Sequence, residues 1–392
     1  MRRENGGRPM KETVLERMER IDAQRKMQDF TAKMHLPYEF KVKYARIRAQ
    51  EFVRECELRD LNYHVSVGGL DSITLLCFLR SIGIDAPGIS ASYLEDPSIQ
   101  RVQRQLGVES VKPLKCEDGS YYNPQKLVQK FGFPVLSKEL AAKIELLQNP
   151  TAKNATVRHA IVTGETGEYG GNRKDSRMKM SQIWLDKFGG YANEEEGTNY
   201  GKPDFCVSSK CCYYLKERPC DLWAKEHNSV PFLGLMASEG GRRAKSLKIN
   251  GCNYFGESTI RSAPFAIFLR EDLLQLALDL NVPVPEIYGE IKRGEDGKLC
   301  TTKAQRTGCA ICGFGIHMEK RPHRFDLLYE RDPKKWEKLM YRLCKTQDGE
   351  DYGWGHVLDY IGVDWKDPEL WLAAKDGNLP GQMNLFEGGD DT

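Results

Sequence analysis

Residues 63–83 read YHVSVGGLDSITLLCFLRSIG, a β-rich run ending in Gly68-Gly69 and passing directly into helical spacing. Strand, glycine turn and helix in that order are the unit from which a parallel sheet is built. The unit recurs: APGISASY precedes SIQRVQRQLG, VKPLK precedes NPQKLVQKFG, and VPFLGLMAS precedes REDLLQLALDLN. Alternating strands and helices predict an α/β fold, a mostly parallel twisted sheet with helices on both faces.

Four segments follow from the same reading. Residues 1–60 form a basic helical arm, with 13 Lys/Arg against 7 Asp/Glu in the first 50. Residues 61–290 form the α/β core, with a polar Gly-rich insertion near 148–201. Residues 291–375 carry a cysteine loop and a small helical segment, and 376–392 form a flexible, acidic tail. With 40% hydrophobic and 29% charged residues in 392, the chain is neither collagen-like, mucin-like nor wholly disordered. A net charge of +2 excludes a dedicated nucleic-acid-coating protein, so any nucleic-acid contact must come from a patch. No run of eighteen apolar residues occurs, and no hydrophobic stretch follows the N-terminal charges, so the expectation is a cytoplasmic protein with no membrane contact. In that setting the 12 cysteines point to metal, redox or packing roles rather than disulfides.

The turn Ser66-Val67-Gly68-Gly69-Leu70-Asp71-Ser72 lies at a helix N-terminus, where glycines let backbone N–H groups approach an anion and the helix adds positive potential. It suits a phosphate or sulfate; Asp71 and Ser72 capping the helix is the alternative. The cysteine pattern is sharper. Cys211-Cys212 and Cys309-x-x-Cys312 supply four soft ligands, as zinc or a 4Fe-4S cluster requires. Tandem cysteines fit one tetrahedral ion poorly and a larger cubane well, which favours iron–sulfur. Cys252 is an alternative ligand, and Cys56, Cys77 and Cys344 read as packed thiols. Lys138, Arg242 and Arg243 are candidate phosphate or sulfate contacts, with solvated surface charge as the alternative. Glu239 is a candidate base, metal or ribose contact, or an arginine's partner. His317 either lines the cluster pocket or is structural. In the tail, Gln382, Leu385 and Phe386 fit Gln-x-x-Leu-Phe, which resembles the peptide that binds bacterial sliding clamps; docking on the protein's own surface is the alternative.

Taken together, SVGGLDS, the segment Tyr93–Pro97 with Glu95, GFPVLSKE at 132–139, KCCYYLKERP at 210–219, GLMASE at 234–239 with Arg242, Arg243 and Gly251-Cys252-Asn253, PFAIFLREDLLQLALDLNVPVPEIYG at 264–289 and RTGCAICGFGIHMEKRPHRF at 306–325 resemble the phosphoadenosine phosphosulfate reductase family. That family lies within the adenine nucleotide alpha-hydrolase-like (PP-loop) superfamily, and the likeness is to its bacterial and phage reductase-like branch. The resemblance implies an adenine nucleotide, ATP or phosphoadenosine phosphosulfate, bound by Ser66, Gly68, Gly69, Asp71, Ser72 and Glu95. It also implies a 4Fe-4S cluster on Cys211, Cys212, Cys309 and Cys312. Three departures stand out: Val67 and Leu70 replace a serine and a lysine of the loop, Ser92-Tyr93 stands where Thr-Gly is usual, and the C-terminal Cys-Gly-Leu/Ile-His nucleophile is missing.

The expected function is a nucleotide-binding iron–sulfur protein acting in sulfur transfer or sulfonucleotide chemistry, with nucleic acid as a plausible acceptor. The alternative is a catalytically weak binding or regulatory module of a phage or mobile element, recruited to DNA through the tail.

Overall fold

The computed structural model describes residues 14–91, 95–190, 192–193, 198–309, 311–346 and 348–375. Two compact units divide the chain, Met1–Val111 with Cys220–Thr307, and Lys112–Pro219 with Gly308–Thr392. The chain passes between them three times.

In the first unit the run read from sequence becomes strand β1 (Asn62–Ser66) and helix α3 (Leu70–Ser81), after the N-terminal helices α1 (Val14–Met34) and α2 (Tyr38–Leu58). His64 and Val65 are both buried, as befits a strand covered on both faces. Strand β2 (Gly88–Ser90), helix α4 (Pro97–Gln105) and strand β3 (Glu109–Ser110) follow. The chain returns to the first unit for β4 (Ser229–Leu233), helix α5 (Gly241–Asn250), β5 (Asn253–Phe255), β6 (Ile260–Ser262) and helix α6 (Arg270–Asp279). The sheet order is β3-β2-β1-β4-β6-β5. All pairings are parallel except β5 with β6, and the longest register runs from Asn62 beside Ser229 to Ser66 beside Leu233. The expected α/β fold with a mostly parallel sheet is present. Strand order reverses at β1: β2 and β3 extend to one side and β4 joins the other, so a crevice opens where the carboxyl ends of β1 and β4 diverge.

Why these residues hold together is visible in the burial. Helix α3 is apolar almost all round, with Leu70, Ile73, Leu75, Leu76, Phe78 and Leu79 buried, as a helix beneath a sheet must be. Helix α2 buries Lys41, Ala45, Ala49, Phe52 and Cys56, one helical stripe, and Phe52 meets Phe232 of β4 edge-on at 4.8 Å. The lysine in that stripe is paired: its ammonium lies 2.6 Å from the Asp272 carboxylate, which also accepts the Leu269 N–H at 2.7 Å and so caps α6.

The second unit has its own core, in which fully buried Trp354 packs against Phe133 at 5.0 Å and Phe325 at 5.4 Å. It is mainly helical, with a short parallel pairing of Gly313–Phe314 to Val135–Leu136. Here the structure differs from the sequence reading in two places. The 148–201 stretch is part of this core, contributing Ile161, Leu185 and Phe188, rather than a loop over the sheet. A minority of inward apolar residues, Ile161, Val162, Leu185 and Phe188 among them, is enough to fold it, so composition concealed the fold. The VKPLK segment is not a sheet strand: β3 ends at Ser110 and Lys115 makes only an isolated bridge with Tyr121. Pro113 lacks the donor a ladder requires.

Lys41→Ala should lower stability by about 3 kcal/mol, because Asp272 is then left buried without its counter-charge. Lys41→Met combined with Asp272→Asn should recover most of that. Urea unfolding followed by circular dichroism checks both, and a single variant as stable as the wild type would contradict the account.

Candidate functional site

The crevice at the sheet's reversal is a cleft of about 330 Å³ lined by Ser66, Gly69, Asp71, Ser72, Leu233, Gly234, Leu235, Glu239, Arg270, Tyr288, Gln305, Arg306 and Thr307. Every one of these belongs to the first unit. Its walls approach closely at Gly234, where an added Cβ would stand 2.9 Å from the Ser72 nitrogen, so the end of β4 lies against the first turn of α3.

The sequence reading takes the Gly68-Gly69 turn as an open cradle. In the structure the turn is satisfied from within: the Gly68 N–H donates to the Ser72 hydroxyl at 2.7 Å, and that hydroxyl donates to the Gly69 carbonyl at 3.0 Å. The Leu70 N–H donates to the Tyr288 hydroxyl at 3.1 Å, which is also bonded to Thr307 at 2.6 Å. Burial raises the Tyr288 phenol, so it is a neutral hydroxyl at the helix end. A Cβ on Gly69 would fall 2.3 Å from that oxygen, so glycine is required here by Tyr288. Gln103 donates to the Gly68 carbonyl at 2.8 Å, and the Glu95 carboxylate lies 3.8 Å from where a Cβ of Gly68 would stand. Val67 and Leu70, the two departures from the loop pattern, are buried core residues, which explains why a hydroxyl and a cation are absent.

Charge in the cleft is balanced. Arg270 forms an ion pair with Asp71 and donates to the Gln305 carbonyl at 3.0 Å. Arg306 lies 3.7 Å from Glu239. Arg270, Arg306, Tyr288 and Thr307 were not singled out from the sequence. One signal was present: Arg270 is the first residue of α6, where the helix dipole disfavours a cation, so it must answer to something else.

The second unit gathers the cysteines. Cys211 and Cys212 lead directly into a π-helical turn, Tyr213–Glu217, a feature frequent at functional sites. Glu145 fixes the preceding residues, accepting from the Ser208 hydroxyl at 3.0 Å and pairing with Lys210 at 2.6 Å. Cys309 and Cys312 are joined by a turn in which the Cys312 N–H donates to the Cys309 carbonyl at 3.0 Å. Burial, and then the thiols of Cys212, Cys309 and Cys312, raise the Cys211 thiol far above its usual range. Burial pushes Cys312 up to about 11; the Phe314 N–H opposes this, and Cys309 and Cys212 add to it. Cys211 and Cys312 thus both feel the charge of the other cysteines. Among the described residues, however, no group of three or more His, Cys, Asp or Glu side chains stands as a ready metal site. Three cations act on this group: Lys138, hydrogen-bonded to Cys212 and 2.6 Å from Glu217, Lys216 beside Cys211, and Arg324, which donates to the Cys312 carbonyl at 2.9 Å.

The remaining candidates separate. Lys138 stands with the cysteines, and Glu239 lines the cleft of the first unit. Arg242 and Arg243 lie on α5, with side chains outside the described residues. Cys252 is buried in the first unit's core, hydrogen-bonded to Tyr44, which suits a packed thiol. Cys344 is buried and bonded to Tyr352. His317 packs edge-on against Trp184 at 5.7 Å, and its Nδ1 is buried without a partner. Gln382, Leu385 and Phe386 lie outside the described residues. Among the described residues no helix is long and apolar enough to cross a membrane.

No protein-family model matches the chain, and no curated protein is similar to it in sequence. Among solved structures it is similar to the crystal structure of phosphoadenylyl-sulfate (PAPS) reductase from Candida auris in its phosphate complex, at 13% identity and a TM-score of 0.32, over 62% of this chain and 86% of that one.

Gly69→Ala should cost about 2 kcal/mol by pushing Tyr288 aside. Tyr288→Phe should cost about 1 kcal/mol through the abandoned Leu70 N–H. The double variant should be more stable than the sum of the two by about 1 kcal/mol, because the phenol oxygen is the atom that clashes. Strict additivity in urea unfolding would contradict the contact.

Proposed function

We propose that the chain is an adenine-nucleotide-binding iron–sulfur protein acting in sulfur transfer or sulfonucleotide chemistry. The observation that carries this reading is the group of four thiols on Cys211, Cys212, Cys309 and Cys312, surrounded by Lys138, Lys216 and Arg324. Four thiolates on a 4Fe-4S cluster leave net negative charge, and three nearby cations offset it in a way that a set of packed thiols does not require. In chemical type the donor set, four thiols, suits the cluster. When bound, such a cluster supplies an iron centre that carries electrons or orients an anionic sulfur group. Lys138 holds Cys212 by a hydrogen bond, and Arg324 holds the Cys312 end of the turn.

In the first unit, Arg270 and Arg306 are the cations for nucleotide phosphates, exchanging Asp71 and Glu239 for phosphate oxygens as the ligand enters. ATP and phosphoadenosine phosphosulfate share the required chemistry. A route through a C-terminal S-sulfocysteine is not part of the proposal, because Cys344, held protonated by burial at about 11, is no nucleophile at neutral pH. One observation favours a second reading, a binding module without turnover: the Gly68-Gly69 turn already has its donors engaged by Ser72 and Tyr288.

Protein purified anaerobically from iron-replete cells should be brown, with about four irons per chain. Cys309→Ser and Cys312→Ser should lose the colour and the iron while keeping the first unit folded. A colourless, folded preparation carrying one zinc per chain would reject the cluster.

A further inference from the structure

The second unit carries a surface that neither the cleft nor the cysteines use. Helix Ala155–Thr163 ends at Gly164, and the chain then forms a loop to Met180 that is tightly bonded to itself. The Thr166 N–H donates to the Arg173 carbonyl and the Arg173 N–H to the Thr166 hydroxyl, both at 2.9 Å. The Ser176 N–H donates to the Gly164 carbonyl at 3.0 Å and the Met180 N–H to the Ile161 carbonyl at 2.8 Å. Ser176 and Met180 are buried, while the intervening Arg177 and Lys179 face outward.

A buried charge holds the loop in place. Lys143, 8% exposed, donates to the Arg177 carbonyl at 3.0 Å and lies 3.4 Å from Glu139. Burying an ammonium is costly, and here it fixes the backbone of a surface loop. At the tip of this fixed loop stands Tyr169, 109% exposed, its ring free of ring contacts among the described residues. Arg173, Lys174, Arg177 and Lys179 are all exposed, and none has an ion-pair partner among the described residues.

From this we infer that the 164–180 loop is a binding surface for single-stranded nucleic acid, in which Tyr169 stacks on a base and Arg173, Lys174, Arg177 and Lys179 contact the phosphodiester backbone. An aromatic ring on a rigid support beside unpaired cations matches the two elements of single-strand recognition, a stacking face and an electrostatic track. A stacked ring needs an unpaired base, so the surface prefers single strands over duplex. The inference is independent of the cluster and of the nucleotide cleft.

Fluorescence anisotropy of the full chain with labelled oligothymidylate, oligouridylate and duplex DNA, each of about twenty units, tests it. Binding of the single strands, weakening as salt rises, is expected. Tyr169→Ala should weaken it about tenfold, and Arg173→Glu with Lys174→Glu by more. Comparison of the two oligonucleotides separates a DNA from an RNA ligand. All three substitutions are at exposed positions, so the melting temperature should not change. Wild-type affinity in either variant would overturn the inference, as would a loss of binding caused instead by Arg46→Glu with Arg54→Glu on α2. Equal competition by polyglutamate, the sign of an acidic protein partner, would also overturn it.

Discussion

The first unit depends on a close approach of backbone to backbone: the end of β4 at Gly234 lies against the opening turn of α3, leaving no room for a side chain. That approach is possible because β1 and β4 run parallel in a five-residue register and then part. The crevice, its lining and the placement of Arg270 above the helix end follow from it. A parallel sheet whose order reverses at a central strand offers such a crevice by construction, and chemistry is added through the residues that line it.

The lining here is unusual in being electrically closed. Each arginine faces a carboxylate, and the helix N-terminus is engaged by a neutral tyrosine hydroxyl rather than left for an anion. A phosphate entering such a site must displace internal partners, so affinity is the difference between two sets of charge-assisted bonds. The second unit shows the reverse balance. Its four thiols have cations near them, an arrangement that becomes favourable when the sulfurs carry charge.

Much of this was legible in residues 63–83, where strand, glycine turn and helix stand in one run; the Cys-Cys and Cys-x-x-Cys pairs both fall in the second unit. Of the nucleotide residues that the resemblance implied, Ser66, Gly69, Asp71 and Ser72 line one cleft at the ends of β1 and α3. What the sequence concealed was long-range. Tyr288 lies 219 residues beyond Gly69, and no local pattern says that its hydroxyl fills the space above that glycine. Arg270 reads as one more charge on an amphipathic helix until its position at the first turn is considered. The division into units was hidden for a similar reason: periodicity reports which face of an element is apolar, and says nothing of which of two cores receives it. The polar 148–201 stretch misled through composition, since a handful of inward residues suffices to fold it.

The central claim is that the cleft between β1 and β4 takes nucleotide phosphates by drawing Arg270 away from Asp71. Titration calorimetry of ATP and of phosphoadenosine phosphosulfate into the wild type and into Arg270→Ala measures it directly. Saturable binding of at least one of the two nucleotides, weakened about tenfold or more in the variant, is the predicted result, given the strength of an arginine–phosphate pair. Equal affinity in both proteins, with the fold intact, would contradict it and move the nucleotide elsewhere.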